Sequence, residues 1–463
     1  MSAVPAPATG GSRSRVLVVT LDRVAEQMAG PAIRAWEIAT FLSGAHDVRL
    51  VTFGECTRTA ATFEAAHVEI GDFRAAVDWA DVVVLQGYVA ATFPWLQQAD
   101  VVLVVDLYDP FHIESLEVLR DRPLPERDAS LASALRELDA QVRRGDVFLC
   151  ASSRQRDLWI GHLAAAGRLN PLTYDADPTL RELVRVVPFG VADDEPRRTG
   201  PAIKGVVPGI AEDDLVVLWG GGVYNWFDPL TLVRAVDQLK ERVPRLRLYF
   251  LGMRHPNPDV PEMRMAVRLR DLADELGLVG THVFFNEDWV PYERRADYLL
   301  DADLGVSCHF PHVETEFSFR TRILDYLWAG LPIVSTDGDA FAPLIRQEGL
   351  GRVVPAEDPT ALAAALEELL TDDAARTATA GDVRRVARDM TWSHVLGPLA
   401  DVCADPRRAA DAGRLASVVT PDGSRPPRRR RDDVAALLRH LRASGVRHTA
   451  RKVRDRVRAV RAR

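Results

Sequence analysis

The chain has 463 residues, 47% hydrophobic and 27% charged, the balance of a globular protein too long for one ordinary core, so two α/β domains with additions are expected. No apolar run reaches the roughly 18–20 residues of a membrane-spanning helix, and Cys56, Cys150, Cys308 and Cys403 form neither a CxxC pair nor a disulfide framework, which fits reduced thiols in a cytoplasm. The net charge of −8 conceals an asymmetry: Arg425 to Arg463 hold fourteen Arg and one Lys against three Asp, a net of +12, so the remainder carries −20; an acidic body with a basic appendage does not fit a nucleic-acid binder.

Residues 1–14 are rich in Ala, Pro, Gly and Ser and read as a disordered leader without the apolar core of a secretory signal. A buried strand is expected over Val16–Thr20. Ala29-Gly-Pro31 then leads into a helix through Leu42, with Pro31 in its first turn and Gly44 ending it. Further strands are expected at Val48–Phe53, Asp81–Leu85, Val101–Val105 and Val147–Cys150, and Val186-Val-Pro-Phe-Gly190 closes this first unit. Residues 192–212, rich in Pro, Gly and charge, read as a linker.

The pattern restarts with strands at Leu215–Trp219, Leu246–Leu251, Val283–Phe285, Leu304–Ser307 and Pro332–Ser335, and with helices at Pro229–Glu241 and Phe319–Ala329. Strands alternating with helices imply parallel sheets covered on both faces. The expected fold class is therefore α/β, with two doubly wound domains in tandem (15–191 and 213–390). Ligands of such sheets bind beyond the strands' carboxyl ends, here in the cleft between the two.

Three stretches carry chemistry. In Trp219-Gly-Gly-Gly-Val-Tyr-Asn-Trp-Phe-Asp-Pro229 a strand runs into glycines and then a helix. Backbone N–H groups freed by glycine, together with a helix N-terminus, suit a phosphate or sugar; a tight strand-to-helix turn is the alternative. A dinucleotide fingerprint fails because Asn225 stands where its third glycine belongs. In Glu314-Thr-Glu-Phe-Ser-Phe-Arg-Thr-Arg-Ile-Leu-Asp-Tyr-Leu-Trp-Ala-Gly330, Ser318 is the expected N-cap and Gly330 the stop. Ser318, Thr321, Arg322 and Asp325 form a polar stripe at i, i+3, i+4, i+7. Arginines in a first turn oppose the helix dipole unless an anion binds there; a surface Arg322–Asp325 ion pair is the competing reading. In Val105-Asp-Leu-Tyr-Asp-Pro-Phe-His-Ile-Glu114, four ionisable groups follow a buried strand, as catalytic groups do, although Asp and Pro also make turns. Cys308, His309, His312 and Glu314 match no zinc spacing, so no metal is expected.

Together these motifs resemble the family 4 glycosyltransferases of GT-B fold (glycosyl transferases group 1) over roughly Arg15 to Cys403. The most specific block is Asp325-Tyr-Leu-Trp-Ala-Gly-Leu-Pro332, supported by Ala29-Gly-Pro-Ala-Ile-Arg34, Val186–Gly190 and Leu251-Gly-Met-Arg254. Met390-Thr-Trp392 is similar to the start of the family's crossover helix, which gives 391–404 that role and leaves 405–463 as the basic tail. The resemblance implies a retaining, metal-independent transfer from a nucleotide-sugar donor to a glycan, lipid-linked or small-molecule acceptor, with no further cofactor. Asp325 stands where the family holds the donor ribose. The family's sugar-binding glutamate lies eight residues earlier, where this chain has Phe317, and the adjacent Glu316 is assigned instead. The family's Arg and Lys after the second domain's first strand are missing from Val223–Phe227, so Arg254, Arg320 or Arg322 is expected to supply the charge. The donor-side set is Gly30, Gly221, Gly222, Arg254, Ser318, Arg320, Thr321, Arg322 and Asp325; Asp109, His112 and Glu316 are the catalytic candidates, with Asp109 and His112 facing the acceptor. A sugar-nucleotide epimerase and a catalytically inactive GT-B binding subunit are the rival readings. In the tail, Val434, Leu437, Leu438 and Leu441 form an apolar stripe among arginines, which fits docking at an anionic membrane surface from the cytoplasmic side, with a solvated basic tail as the alternative.

Overall fold

The computed structural model describes residues 13–254 and 263–414. The first sheet contains β1 (Arg15–Thr20), β2 (Asp47–Thr52), β3 (Glu64–His67), β4 (Val82–Leu85), β5 (Val102–Asp106), β6 (Val147–Cys150) and β7 (Val184–Val186). All are parallel, in the order β3-β2-β1-β4-β5-β6-β7. The second contains β8 (Leu215–Trp219), β9 (Leu246–Phe250), β10 (Val283–Phe285), β11 (Leu304–Ser307), β12 (Ile333–Thr336) and β13 (Gly351–Val354). It is also parallel, in the order β10-β9-β8-β11-β12-β13.

The central strands are the continuous Val/Leu runs of the sequence, buried on both faces as helix-covered parallel strands must be. Strand order reverses between β1 and β4 and again between β8 and β11, which opens a crevice at the carboxyl ends of each pair. Three strands lack a sequence signal. β3, β7 and β13 are edge strands: β7 and β13 mix valine with small or charged residues, and β3 is Glu-Ala-Ala-His, because an edge needs less apolar surface than a centre.

One buried ion pair organises the first sheet. Arg34, on the helix Gly30–Ser43, donates to both carboxylate oxygens of Asp106 at the end of β5, at 2.6 and 2.8 Å. Its remaining N–H groups reach the carbonyls of Val187 and Pro188, and its plane lies near the rings of Tyr108 and Phe189. Both side chains are sealed from solvent, so their Coulomb attraction is unscreened and every guanidinium partner counts.

The chain returns to the first domain after Met390. Val191 and Thr391 form a bridge, with the Val191 N–H donating to Met390 O at 2.8 Å and the Trp392 N–H to Val191 O at 2.9 Å. The returning segment forms two short helices, Trp392–Val395 and Gly397–Ala404. Parts of the stretches read as leader and tail are packed. Ser14 Oγ donates to Cys403 O at 2.7 Å, and Arg168 grips Asp411 in a buried pair at 2.9 Å. The linker is likewise held to the second domain, where the Ala202 and Ile203 N–H groups donate to Asp301. The amphipathic stripe of the tail lies outside the described residues. No described helix is long and apolar enough to cross a membrane.

Removing one member of a buried ion pair strands the other charge and costs about 3–5 kcal/mol, whereas removing both costs less. Arg34→Met is therefore expected to lower the unfolding free energy by about that amount, and the double variant Arg34→Met/Asp106→Leu to recover part of it. Urea denaturation of the three proteins measures both.

Candidate functional site

The carboxyl ends of β1, β4 and β5 surround a cavity of about 420 Å³. Its lining includes Asp22, Gln86, Tyr88, Tyr108, Asp109 and Glu114, all from the first domain. Asp22 lies just beyond β1 and accepts a hydrogen bond from the Ala32 N–H in the first turn of the Gly30–Ser43 helix; burial nonetheless raises its pKa to about 6. Asp109 and Glu114 are hydrogen-bonded to each other. Burial raises both: Asp109 to about 6 although its hydrogen bond to Glu114 lowers it, and Glu114 well above the carboxylate range, pushed further by the charge of Asp109. The two titrate as a pair, with Glu114 the member held more strongly in its protonated form. Asp106, also in the lining, is neutralised by Arg34.

The second domain faces this wall with the loop after β8 and the segment Val313–Ala329. Gly221 adopts φ +80°, a conformation open to glycine at little cost. Gly222 packs closely on the Tyr224 ring, and Tyr224 stacks on Trp226 with centroids 4.9 Å apart. Burial and then the nearby Glu114 raise the Tyr224 pKa, which puts this ring next to the acidic pocket. Tyr326 ties the loop to the sheet. Its hydroxyl accepts from the Gly220 N–H at 2.8 Å and faces the carbonyls of Leu218 and Val306 at 3.0 and 2.9 Å. The ring lies so close to β11 that a Cβ on Gly305 would come within 2.4 Å of it, so only glycine fits there.

Two arginines open the helix Thr321–Ala329. Arg322 is buried against the rings of Trp219 and Phe227, at 4.3 and 4.0 Å, and donates to Gly222 O at 3.0 Å. Burial lowers its pKa to about 10, so it stays charged at neutral pH. Its Nη1 is buried without a hydrogen-bond partner. Arg320 is bound through two nitrogens to Glu314, at 2.9 and 2.8 Å, and also reaches Thr315 Oγ1.

Several assignments change in detail. The helix starts at Thr321, with Arg320 rather than Ser318 at its N-cap. Ser318 instead ends a separate short helix, Val313–Phe317, its hydroxyl donating to Thr315 O. The expected polar stripe is consequently split. Thr321 is exposed and Arg322 is buried, while Asp325 turns to Arg295 at 3.4 Å with 41% of its side chain accessible, so no Arg322–Asp325 pair forms. Glu316 lies on the exposed side of the short helix and Glu314 on the buried side, because the helix presents only one of the two to the first domain. His112 does not line the cavity. It packs against Trp159 and His162, with centroids 5.6 and 5.0 Å away, and burial followed by the neighbouring His162 lowers its pKa to about 4, so it is a neutral packing group. The Arg254 side chain is 71% exposed and, among the described residues, reaches Glu287 at 3.7 Å. Gly30 begins the helix whose first turn faces Asp22. Among the described residues no three His, Cys, Asp or Glu side chains converge as a metal-holding group.

Asp22, Arg34, Glu314 and Tyr326 escaped assignment to the site. Only Asp22 carries a local signal, an acidic residue just past a buried strand. The domains meet through Gln155, whose amide donates to Tyr108 O and Phe317 O, through Tyr292 Oη to Glu37 at 2.9 Å, and through an Arg58–Glu293 ion pair.

This geometry, two parallel sheets with their switch points across a shared site, defines the GT-B fold. The same fold is found in WaaG, a glycosyltransferase involved in lipopolysaccharide biosynthesis (TM-score 0.61, 18% identity, 84% of this chain and 100% of that one). It is found also in Anabaena Alr3699/HepE in complex with UDP and glucose (TM-score 0.61, 15% identity, 85% and 100%). Residues 214–372 match the family Glycosyl transferases group 1. A D-inositol 3-phosphate glycosyltransferase of Nocardioides sp. is 28% identical over 50% of this chain and 49% of its own length. A phosphatidyl-myo-inositol mannosyltransferase of Mycolicibacterium smegmatis is 29% identical over 35% and 38%. The chain spans about half the length of the first of these curated relatives.

The raised pKa of Asp22 has a signed consequence. Between its ordinary value of 3.8 and about 6 the folded protein keeps a proton that the unfolded chain has released, so this group's contribution to stability falls as pH rises through that window. Asp22→Asn retains an acceptor for the Ala32 N–H and removes the titration. Its stability relative to the unsubstituted protein is expected to be greater at pH 7 than at pH 4.5, as measured by denaturation at both.

Proposed function

We propose that this protein is a glycosyltransferase whose second domain holds a nucleotide-sugar donor and whose first domain holds the acceptor. The observation that carries this reading is the pairing of a glycine loop and an arginine-bearing helix start with an acidic, hydroxyl-compatible cavity on the facing sheet. Departure of a nucleoside diphosphate requires neutralisation of the charge that develops on it. Arg322, with a free Nη1 beside Gly222, and the N-terminus of the Thr321–Ala329 helix are suited to that. Arg320 orients Glu314 through its two-point contact. That gives the Glu314–Arg320 pair, rather than Glu316, the better claim to the donor-sugar side.

The proposed reaction is metal-independent and retains the anomeric configuration, with basic side chains and backbone N–H groups assisting the leaving group. The donor sugar's anomeric carbon bonds to an acceptor oxygen, the bond to the diphosphate oxygen breaks, and the acceptor proton leaves with the diphosphate, so no dedicated base on the enzyme is required. The Anabaena neighbour's complex with UDP and glucose supports a uridine nucleotide as the first donor to try, and the curated relatives support a cyclitol or lipid-linked acceptor class.

Purified protein incubated with a panel of UDP-, GDP- and ADP-sugars, with and without acceptor mixtures, tests the proposal by mass spectrometry. Transfer to an acceptor is expected. Conversion of the donor without an acceptor would identify an epimerase, and nucleotide binding without turnover an inactive binding subunit. Asp325→Ala is expected to weaken nucleoside-diphosphate binding more than tenfold, or about 1.4 kcal/mol, in calorimetry on protein whose circular dichroism is unchanged. Unaltered affinity would remove Asp325 from the donor site.

A further inference from the structure

The cavity of the first domain is chemically narrower than a general polyol site. Among the described residues its lining contains no Lys, Arg or His and four carboxyl groups, Asp22, Asp106, Asp109 and Glu114. Arg34 cancels the charge of Asp106, and Asp109 and Glu114 are hydrogen-bonded to each other; Arg320 acts on that pair but is itself taken up by Glu314, so negative charge remains from Asp22 and from the pair. A phosphate group is recognised by Arg, Lys or clustered N–H donors, and here it would meet like charge. Hydroxyl groups are donors, and carboxylates and amide oxygens accept from them.

Part of the mouth of the same cavity is apolar, beside the half-buried Ser115 and Ser130. Leu21, Tyr88 and Val118 line it yet remain 36%, 37% and 36% exposed, so they sit at its rim. Phe111 packs on Tyr88 with centroids 5.2 Å apart, and Leu119 completes this side. Large apolar groups left in water beside a polar cavity mark a surface that a ligand covers.

We infer that the acceptor is a non-anionic amphiphile: an unphosphorylated, hydroxyl-rich head group bound beside Asp22 and Asp109, with an apolar aglycone lying across Leu21, Tyr88 and Val118. This rests on the transferase reading for calling the ligand an acceptor, and it sets this chain apart from the relatives named for inositol 3-phosphate. The apolar rim supplies the binding that a phosphate contact would otherwise provide, since covering it removes hydrocarbon from water.

The test uses the full chain and three groups of probes: methyl glycosides of glucose, mannose and galactose, the hexyl glycosides of the same sugars, and their 6-phosphates. Binding is followed by calorimetry and saturation-transfer NMR, with UDP binding measured alongside. At least one hexyl glycoside is expected to bind ten times more tightly than its methyl counterpart, and the 6-phosphates ten times more weakly than the methyl glycosides. Val118→Asp is expected to abolish the hexyl advantage, and Asp22→Asn to reduce the discrimination against phosphate severalfold. Sugar phosphates that bind as well as neutral glycosides, hexyl and methyl glycosides of equal affinity, or no glycoside binding while UDP binds, would each overturn the inference. Glycoside selection without any nucleotide binding, to UDP or to the other nucleoside diphosphates, would uphold the cavity's chemistry and overturn the transferase reading instead; absence of both would overturn both.

Discussion

The buried Arg34–Asp106 pair holds together three segments that the chain visits at widely separated points. It anchors the first long helix, ends β5 at the cavity, and fixes the Val187–Pro188 turn from which the chain leaves for the second domain. Without a partner, Asp106 would be a sealed charge in the cavity wall and Arg34 a sealed cation beneath it, so the fold of this region and the charge of the site depend on the same contact. Because Arg34 takes up the charge of Asp106, the acidity of the cavity is left to Asp22 and to the proton-sharing Asp109–Glu114 pair.

The second domain solves a similar problem with a neutral group. At the carboxyl end of a parallel sheet, backbone carbonyls and N–H groups run out of strand partners and must be satisfied otherwise. The Tyr326 hydroxyl meets one N–H and two carbonyls there, and Gly305 provides the space for its ring. The glycine loop is thus held by a side chain from the helix that also carries Arg322. In the proposed reaction a loop so held beside a buried cation would need little reorganisation to meet an anion, which is the condition for strong electrostatic stabilisation. The aromatic floor of Trp219 and Phe227 keeps Arg322 dry, which lowers its pKa to about 10 yet leaves it charged at neutral pH.

The acidic and apolar character of the first-domain cavity and the cationic character of the second-domain loop divide the chemistry between domains. In the proposed reaction, charge that must be neutralised would meet the second, and hydroxyl groups that must be oriented would meet the first. The contacts of Gln155 and Tyr292 bring the two sides together, so relative movement of the domains would alter both halves of the site at once.

Much of this was legible in the residue order. The Val/Leu runs of β1, β4, β5 and β8 can be buried only as central parallel strands, and Gly330 followed by Pro332 can only stop a helix, so fold class and the main helix ends follow from local chemistry. The edge strands β3, β7 and β13 carry no comparable signal, since half-exposed backbone pairing tolerates almost any short residue pattern. At the candidate site, the positions of Gly221, Gly222, Asp109 and Arg322 near strand ends were legible because glycine freedom and charge next to a strand end are local properties. Which of Glu314 and Glu316 faces inward was not, since it depends on where the short helix Val313–Phe317 breaks before Thr321. Nor was the partnership of Arg34 with Asp106, 72 residues apart, or the removal of His112 into a packed layer with Trp159. Those outcomes are set by which surfaces meet across the fold, and burial, not residue type, then decides which charges are paired, protonated or left open to a ligand.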